Sequence, residues 1–334
     1  MKQLNPSIFC VVPGVSPLYD FLRQLDSWLR PVELLVALAV VCILGMWHVM
    51  AAREPALQDL RTLSPDGQRH VRRAAIGFFL LTGFSRVFLL AQAFNSGRLF
   101  GVEFWLNVHA ILFATPIGFA AWCRPLLLWG IGQLEQVRLV PRLRLWILAG
   151  LIVALMLTFP FTAHALDTPD IRPGGWISGL VHTLHLLTGA AWVGGLAVFA
   201  VVMTKGRANG GMPSPLVSGM RRFFSATLAV LAVGWGTGVL LAWMRLTAWS
   251  DLWVTRYGFL LSGKLVLATL ALLLTALIRF LVLPRVNVSG EGQGQMAWRK
   301  GAGFILVWAL RLELAVALIL LIVGGVLAST SPPS

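Results

Sequence analysis

The fold class this sequence predicts is all-α: a polytopic integral membrane bundle of about eight transmembrane helices. Three observations carry that expectation. The chain is 57% hydrophobic and 12% charged, where a soluble domain carries about 25% charged residues. Apolar runs long enough to cross a bilayer recur from end to end, each near the ~20 residues a spanning helix needs. The short alternating segments of a membrane barrel are missing.

The elements follow in chain order. Residues 1–31 read as an N-terminal segment outside the membrane. Their apolar patch at 8–15 is short, is broken by Pro13 and Gly14, and has no basic region before it, so no cleavable signal peptide is expected. Spans are expected at about 32–51, 73–95, 105–129, 143–165, 176–204, 223–246, 257–283 and 303–328, with Pro, Gly and charge between them. No loop is long enough for a soluble module. The chain then divides into 1–31, spans 1–3 over 32–139, and spans 4–8 over 140–334. No fixed-period repeat is visible.

Orientation follows from the 27 Lys and Arg residues. Most fall in four alternate loops, with Arg53, Arg61, Arg69, Arg72 and Arg73 in the first. Arg124, Arg138, Arg142 and Arg144 are assigned to the second, Lys205, Arg207, Arg221 and Arg222 to the third, and Arg279, Arg285, Arg299 and Lys300 to the fourth. The opposite side holds only Lys2, Arg23, Arg30, Arg98, Arg172, Arg245 and Arg256. Positive loops face the cytoplasm, so both termini are expected on the periplasmic side of a bacterial inner membrane. The net charge of +14 is thereby a topology signal, and no nucleic-acid partner is expected.

Topology turns the histidines into a depth map. His48 and His70 fall on the cytoplasmic side, whereas His109, His164, His182 and His185 fall in the outer halves of spans 3, 4 and 5. His182 and His185 sit about 10 and 14 Å below the start of span 5 and, at i and i+3, share one helix face. An ionisable group inside a membrane is a functional candidate by default. Imidazole is the commonest side-chain metal ligand and suits copper, zinc, iron and nickel. A transition-metal site near the outer mouth is the sharp expectation. The plainer one is that each histidine hydrogen-bonds a neighbouring helix. Trp192 continues the same face two turns inward. Ala190 with Gly194, Ala191 with Gly195, and Gly234 with Gly238 are small-residue pairs that admit close helix approach.

Four other charges lie within spans: Arg86, Lys264, Arg311 and Glu313. Arg311 is two positions from Glu313 and points elsewhere, so Lys264 or Arg86 is expected to pair with Glu313. The role is either packing or an ion path. The cysteines Cys10, Cys42 and Cys123 form no C-x-x-C and no obvious disulfide. Neither H-E-x-x-H, G-x-S-x-G nor a P-loop occurs, so no catalytic residues are expected and any transport is passive or ion-coupled.

Five stretches in order carry a family resemblance: FTAHA at 161–165, HLLTGAAWVGGL at 185–196, RRFFSATLAVLAVGWGTGVL at 221–240, TRYGFLLSGKLVL at 255–267 and LRLELAVALILLIVGGVLASTSPP at 310–333. The set resembles the copper resistance protein D (CopD) family of bacterial inner-membrane proteins, over about residues 140–333. The resemblance implies copper handling across the inner membrane, for import, homeostasis or resistance, and no enzyme is expected. His164 and His185 match its histidines, Tyr257 and Lys264 its Y-G…K element, and Arg311 and Glu313 its R-x-E element. The chain departs from the family in having Thr162 and Ala163 before His164. Combined with the depth map, the implied metal site is His164, His182 and His185 with His109 as a fourth ligand. Met156 and Met244 are the outer-half thioethers that suit Cu(I). Some relatives carry a fused copper-binding domain that this chain lacks, which implies a separate periplasmic carrier as partner. Two readings stay open beside it: a b-type haem electron-transfer protein, in which histidines on facing helices hold the haem, and a structural subunit with satisfied core histidines.

Overall fold

A computed structural model describes residues 65–95, 101–134, 137, 139–162, 175–208, 214–285 and 301–330, together with Val32, Glu33 and Val36. The N-terminal segment 1–31, most of the expected first span, His48, and His164 with its FTAHA surroundings beyond Thr162 lie outside the described residues.

The described chain is helical, with no strand. The helices are α1 (Pro65–Phe94), α2 (Val102–Ala114), α3 (Pro116–Gln133), α4 (Pro141–Thr162), α5 (Gly175–Ala208), α6 (Ser214–Arg245), the single turn α7 (Asp251–Val254), α8 (Arg256–Leu277) and α9 (Ala302–Ser329). A π-helical turn, Ile278–Val282, and a 3-10 turn, Leu283–Arg285, continue α8. Among the described residues six helices are long and apolar enough to cross a membrane, or seven if α2 with α3 counts as one span. Their outward Leu, Phe and Trp side chains are exposed because lipid is the solvent they meet.

Two groups of helices make the bundle. One core joins α1, α3 and α4 through Phe79, Leu128, Leu155 and Met156, and reaches α5 at Leu186 and Ala190. The other joins α5, α6, α8 and α9 through Trp192, Phe199, Phe224, Ile278 and Leu310. Helix α5 belongs to both and is the most enclosed, with 61% of its spanning window buried against 39% for the next. That position explains why α5 carries polar groups that a lipid-facing helix would not tolerate.

The expected span at 105–129 is not one straight helix. Helices α2 and α3 meet at 66°. Pro116 disfavours helical backbone at the residue before it, and Thr115 is extended (φ −121°, ψ 152°). The Thr115 hydroxyl donates to the Ile111 carbonyl at 2.6 Å and accepts from the Gly118 N–H at 3.2 Å. A Cβ on Gly118 would collide with the backbone of Ile111 and Leu112, so the corner requires glycine. A second corner repeats this one between α7 and α8. Thr255 is extended, donates to the Asp251 carbonyl at 2.8 Å and accepts from the Gly258 N–H at 2.9 Å. A Cβ on Gly258 would meet the Asp251 carbonyl.

The two corners open equivalent sequences, TPIGFAAWCR at 115–124 and TRYGFLLSGK at 255–264. The corner motif thus occurs twice, with only the Thr, Gly, Phe and terminal cation coinciding. The first corner also relocates Arg124, assigned above to a cytoplasmic loop. Because α3 begins at Pro116, Arg124 sits about 12 Å into that helix, and it is 3% exposed.

Arg124 and Arg86 meet Glu33. One Glu33 carboxylate oxygen accepts from Arg86 at 2.7 Å and from Arg124 at 3.1 Å. The Arg124 guanidinium also donates to the Thr158 hydroxyl at 2.9 Å and carbonyl at 3.2 Å, and lies 4.1 Å over the Phe159 ring. The network ties α1, α3 and α4 to the start of the expected first span. Arg86 therefore pairs with Glu33 and not with Glu313.

Outside the spans, the α6–α7 turn is held by Asp251. Its carboxylate accepts from the Thr247 hydroxyl at 2.6 Å, the Ala248 N–H at 2.9 Å and the Thr247 N–H at 3.1 Å. The Thr247 hydroxyl first, then the Ala248 N–H, hold its pKa below the ordinary carboxylate range. A depressed folded pKa makes this contribution full above the unfolded value, about 3.9, and lost as pH falls through the folded one. Hydrogen exchange at Thr247 and Ala248, corrected for intrinsic rates, is expected to match that of Asp251→Asn only in acid and to be slower than in that variant at neutral pH. Equal protection in both proteins at neutral pH would contradict the assignment.

Candidate functional site

Helices α5, α6, α8 and α9 enclose a cavity of about 210 Å³. Its polar lining comes from His182, His185 and Thr188 of α5, Arg245 of α6, and Tyr257 and Lys264 of α8. Trp192 closes one part of the wall.

The i, i+3 spacing on α5 brings both imidazoles to this cavity. The ring of His185 is fixed by α6. Its Nδ1 lies 2.9 Å from the Gly234 carbonyl and 3.2 Å from the Thr237 hydroxyl oxygen. A carbonyl only accepts, so Nδ1 carries the hydrogen and Nε2 keeps its lone pair. A backbone carbonyl orienting the non-ligating nitrogen is the arrangement that metal-binding histidines use. Thr237 in turn donates to carbonyls of its own helix, to Val233 at 2.8 Å and Gly234 at 2.9 Å. His182 is held less firmly: its Nδ1 is buried and has no hydrogen-bond partner among the described residues.

The small residues of α6 serve this geometry as well as packing. A Cβ on Gly238 would stand 3.2 Å from His185 Cε1, and one on Gly234 would stand 2.8 Å from the Thr188 hydroxyl. On α5, a Cβ on Gly195 would enter the Phe223 ring. The V-G-W-G-T-G stretch thus supplies both the room for the imidazole and the carbonyl that orients it.

Lys264 and Glu313 do not pair. Glu313 is fully buried; one carboxylate oxygen accepts from the Trp192 indole N–H at 2.9 Å and from the Thr275 hydroxyl. Its other oxygen has no partner among the described residues. Charge complementarity suggested the wrong contact because sequence does not give the direction in which each charge leaves its helix. Lys264 points to the cavity instead, where a Cβ on Gly324 would lie 3.5 Å from Nζ. It has no hydrogen bond or ion pair among the described residues.

The remaining candidates are dispersed. His109 is exposed on α2, its ring 4.9 Å from Phe113, and that helix packs on α1 and α3. It does not line the cavity. Met156 is packed in the α1–α3–α4–α5 core, and Met244 is buried in α6; neither lines the cavity. Arg311 is exposed on α9, 5.5 Å over Trp308. Among the described residues no three His, Cys, Asp or Glu side chains converge on one point. His164 falls outside them. Sequence reasoning missed Thr237, Thr188 and Arg245 as site residues and read Gly234 and Gly238 only as packing residues; the polar Thr237 within an apolar span was the available signal.

No curated protein and no solved structure matches the chain. A family model does. Residues 218–327, nearly all of α6 through α9 and most of the cavity wall facing the two histidines, match CopD, copper resistance protein D, so the resemblance carried by the three downstream motifs is shown for this segment of a multi-pass membrane protein.

Proposed function

We propose that this chain is a copper-resistance protein of the bacterial inner membrane that takes copper from the periplasmic side and passes it inward through the α5–α6–α8–α9 cavity. The observation that carries the reading is His185. Its Nδ1 is spent on the Gly234 carbonyl, inside the CopD-matching segment, and its Nε2 is left for a ligand in the cavity. The adjacent His182, with an unpartnered buried nitrogen, is the second donor.

Copper is cargo in this reading, delivered by a periplasmic carrier and received by His182 and His185. His164 is retained as a third candidate donor. The orientation inferred from the basic loops places the cavity in the outer half of the membrane. Trp192 and Glu313 then stand at its inner end. With no nucleotide-binding motif in the sequence, movement follows the copper gradient or a coupled ion.

The test is copper stoichiometry on purified protein. Wild type is expected to retain copper, and His182→Ala and His185→Ala to lose it, with His164→Ala weakened. Equal copper in wild type and the first two variants would refute the site. A Soret band that shifts on reduction would replace copper with haem as the bound group.

A further inference from the structure

The cavity has a surplus of positive charge. Arg245 and Lys264 line it along with the two imidazoles, and among the described residues no Asp or Glu does. Lys264 lies within electrostatic reach of both His182 and His185, and Arg245 within reach of His182 and of Lys264. Neither cation has an ion pair among the described residues, and Glu313 is held by Trp192 and Thr275. A copper ion added to two neutral imidazoles would raise this positive charge further, in surroundings where unpaired charge is costly.

The other copy of the corner motif shows how the chain treats the same problem elsewhere. Arg124 follows Thr115, and Lys264 follows Thr255, at the same spacing of nine residues. In the first half the cation at that position is neutralised by Glu33. In the second half the equivalent cation faces open space and two histidines, and among the described residues no carboxylate replaces Glu33.

The donor set is also short. Two imidazoles come from one helix, and no third His, Cys, Asp or Glu joins them among the described residues.

We propose that a small coordinating anion of the halide type enters the cavity with copper, completes the His182–His185 donor set, and is held by the Lys264 ammonium. The proposal rests on the copper reading above. The anion supplies a third ligand and the missing negative charge at once, and the open volume beside Lys264 accommodates it. Arg245 lies within electrostatic reach of Lys264 and adds to the attraction along its way in. Copper binding becomes anion-dependent, which a site closed by protein ligands would not be.

The experiment is X-ray absorption at the copper edge on full-length protein loaded with copper in bromide buffer, because bromine scatters strongly enough to be told from nitrogen. Wild type is expected to show a copper–bromine path, and Lys264→Gln to lose it while keeping the nitrogen shell. Replacing bromide by perchlorate at equal ionic strength should remove the path and lower copper occupancy. Copper bound by nitrogen donors alone in wild-type bromide samples, as a third imidazole such as that of His164 would give, overturns the proposal and leaves the copper reading standing. A bromine path that persists in Lys264→Gln overturns the role of Lys264. Wild-type protein that binds no copper at all removes the copper reading and this proposal with it.

Discussion

Glu33→Ala is expected to destabilise the membrane-embedded fold by about 3–5 kcal/mol, the usual consequence of removing one partner from a buried charge cluster. Glu33 is 2% exposed, and a single oxygen takes hydrogen bonds from Arg86 and Arg124, themselves 8% and 3% exposed. Without the carboxylate the two guanidiniums lose the charge they share in a low-dielectric space and repel each other. Arg124 keeps its bonds to Thr158 and its contact with the Phe159 face, so the variant is weakened at a definite point instead of losing the whole network. Glu33→Gln retains an acceptor but no charge and should fall between the two. Reversible unfolding in mixed micelles, followed by loss of helical signal, measures the series. Wild-type stability in Glu33→Ala would mean that the ion network contributes nothing, and with it would go the contrast between Arg124 and Lys264 on which the anion proposal depends.

That contrast also marks where the sequence was legible and where it was not. Long apolar runs announced the crossing helices, because a span must satisfy its backbone within one segment and clothe itself in apolar side chains. The bend at Thr115 was written in the Thr-Pro dipeptide, yet it was hidden inside a continuous apolar run. With the bend in place Arg124 sits in the interior of α3, whereas the basic-loop count assigns it to a loop. His182 and His185 were readable from spacing alone, because helical geometry fixes which face they share. Their setting was not, since Gly234, Thr237 and Gly238 come from another helix and look like packing residues in one dimension. His109 and Met156 failed to join the histidines because direction around each helix was not available from the sequence: His109 is exposed on α2 and Met156 is packed in the α1–α3–α4–α5 core. The pairing of Lys264 with Glu313 failed for the same reason, and a neutral indole and hydroxyl took the place of the expected cation.

Glu313→Leu tests that neutral arrangement. It is expected to destabilise by about 2–6 kcal/mol, because two buried donors lose their acceptor and each unsatisfied group costs about 1–3 kcal/mol. The two donors differ in their alternatives. The Thr275 hydroxyl can turn back to a carbonyl one turn earlier on α8, as threonines in helices do. The Trp192 indole N–H has a fixed direction in the ring plane and no such local acceptor, so most of the loss comes from Trp192. Glu313→Gln keeps a carbonyl oxygen for both donors and is expected to stay near wild type. The double variant Trp192→Phe with Glu313→Leu removes donor and acceptor together. Its destabilisation is expected to fall short of the sum of the two single changes by at least about 1 kcal/mol, the signature of directly coupled residues. Additive losses would show that Glu313 acts independently of Trp192. Coupling would establish that a buried carboxylate on α9 sets the position of the indole at the cavity wall, and so links the mid-membrane core to the site where His182 and His185 receive their ligand.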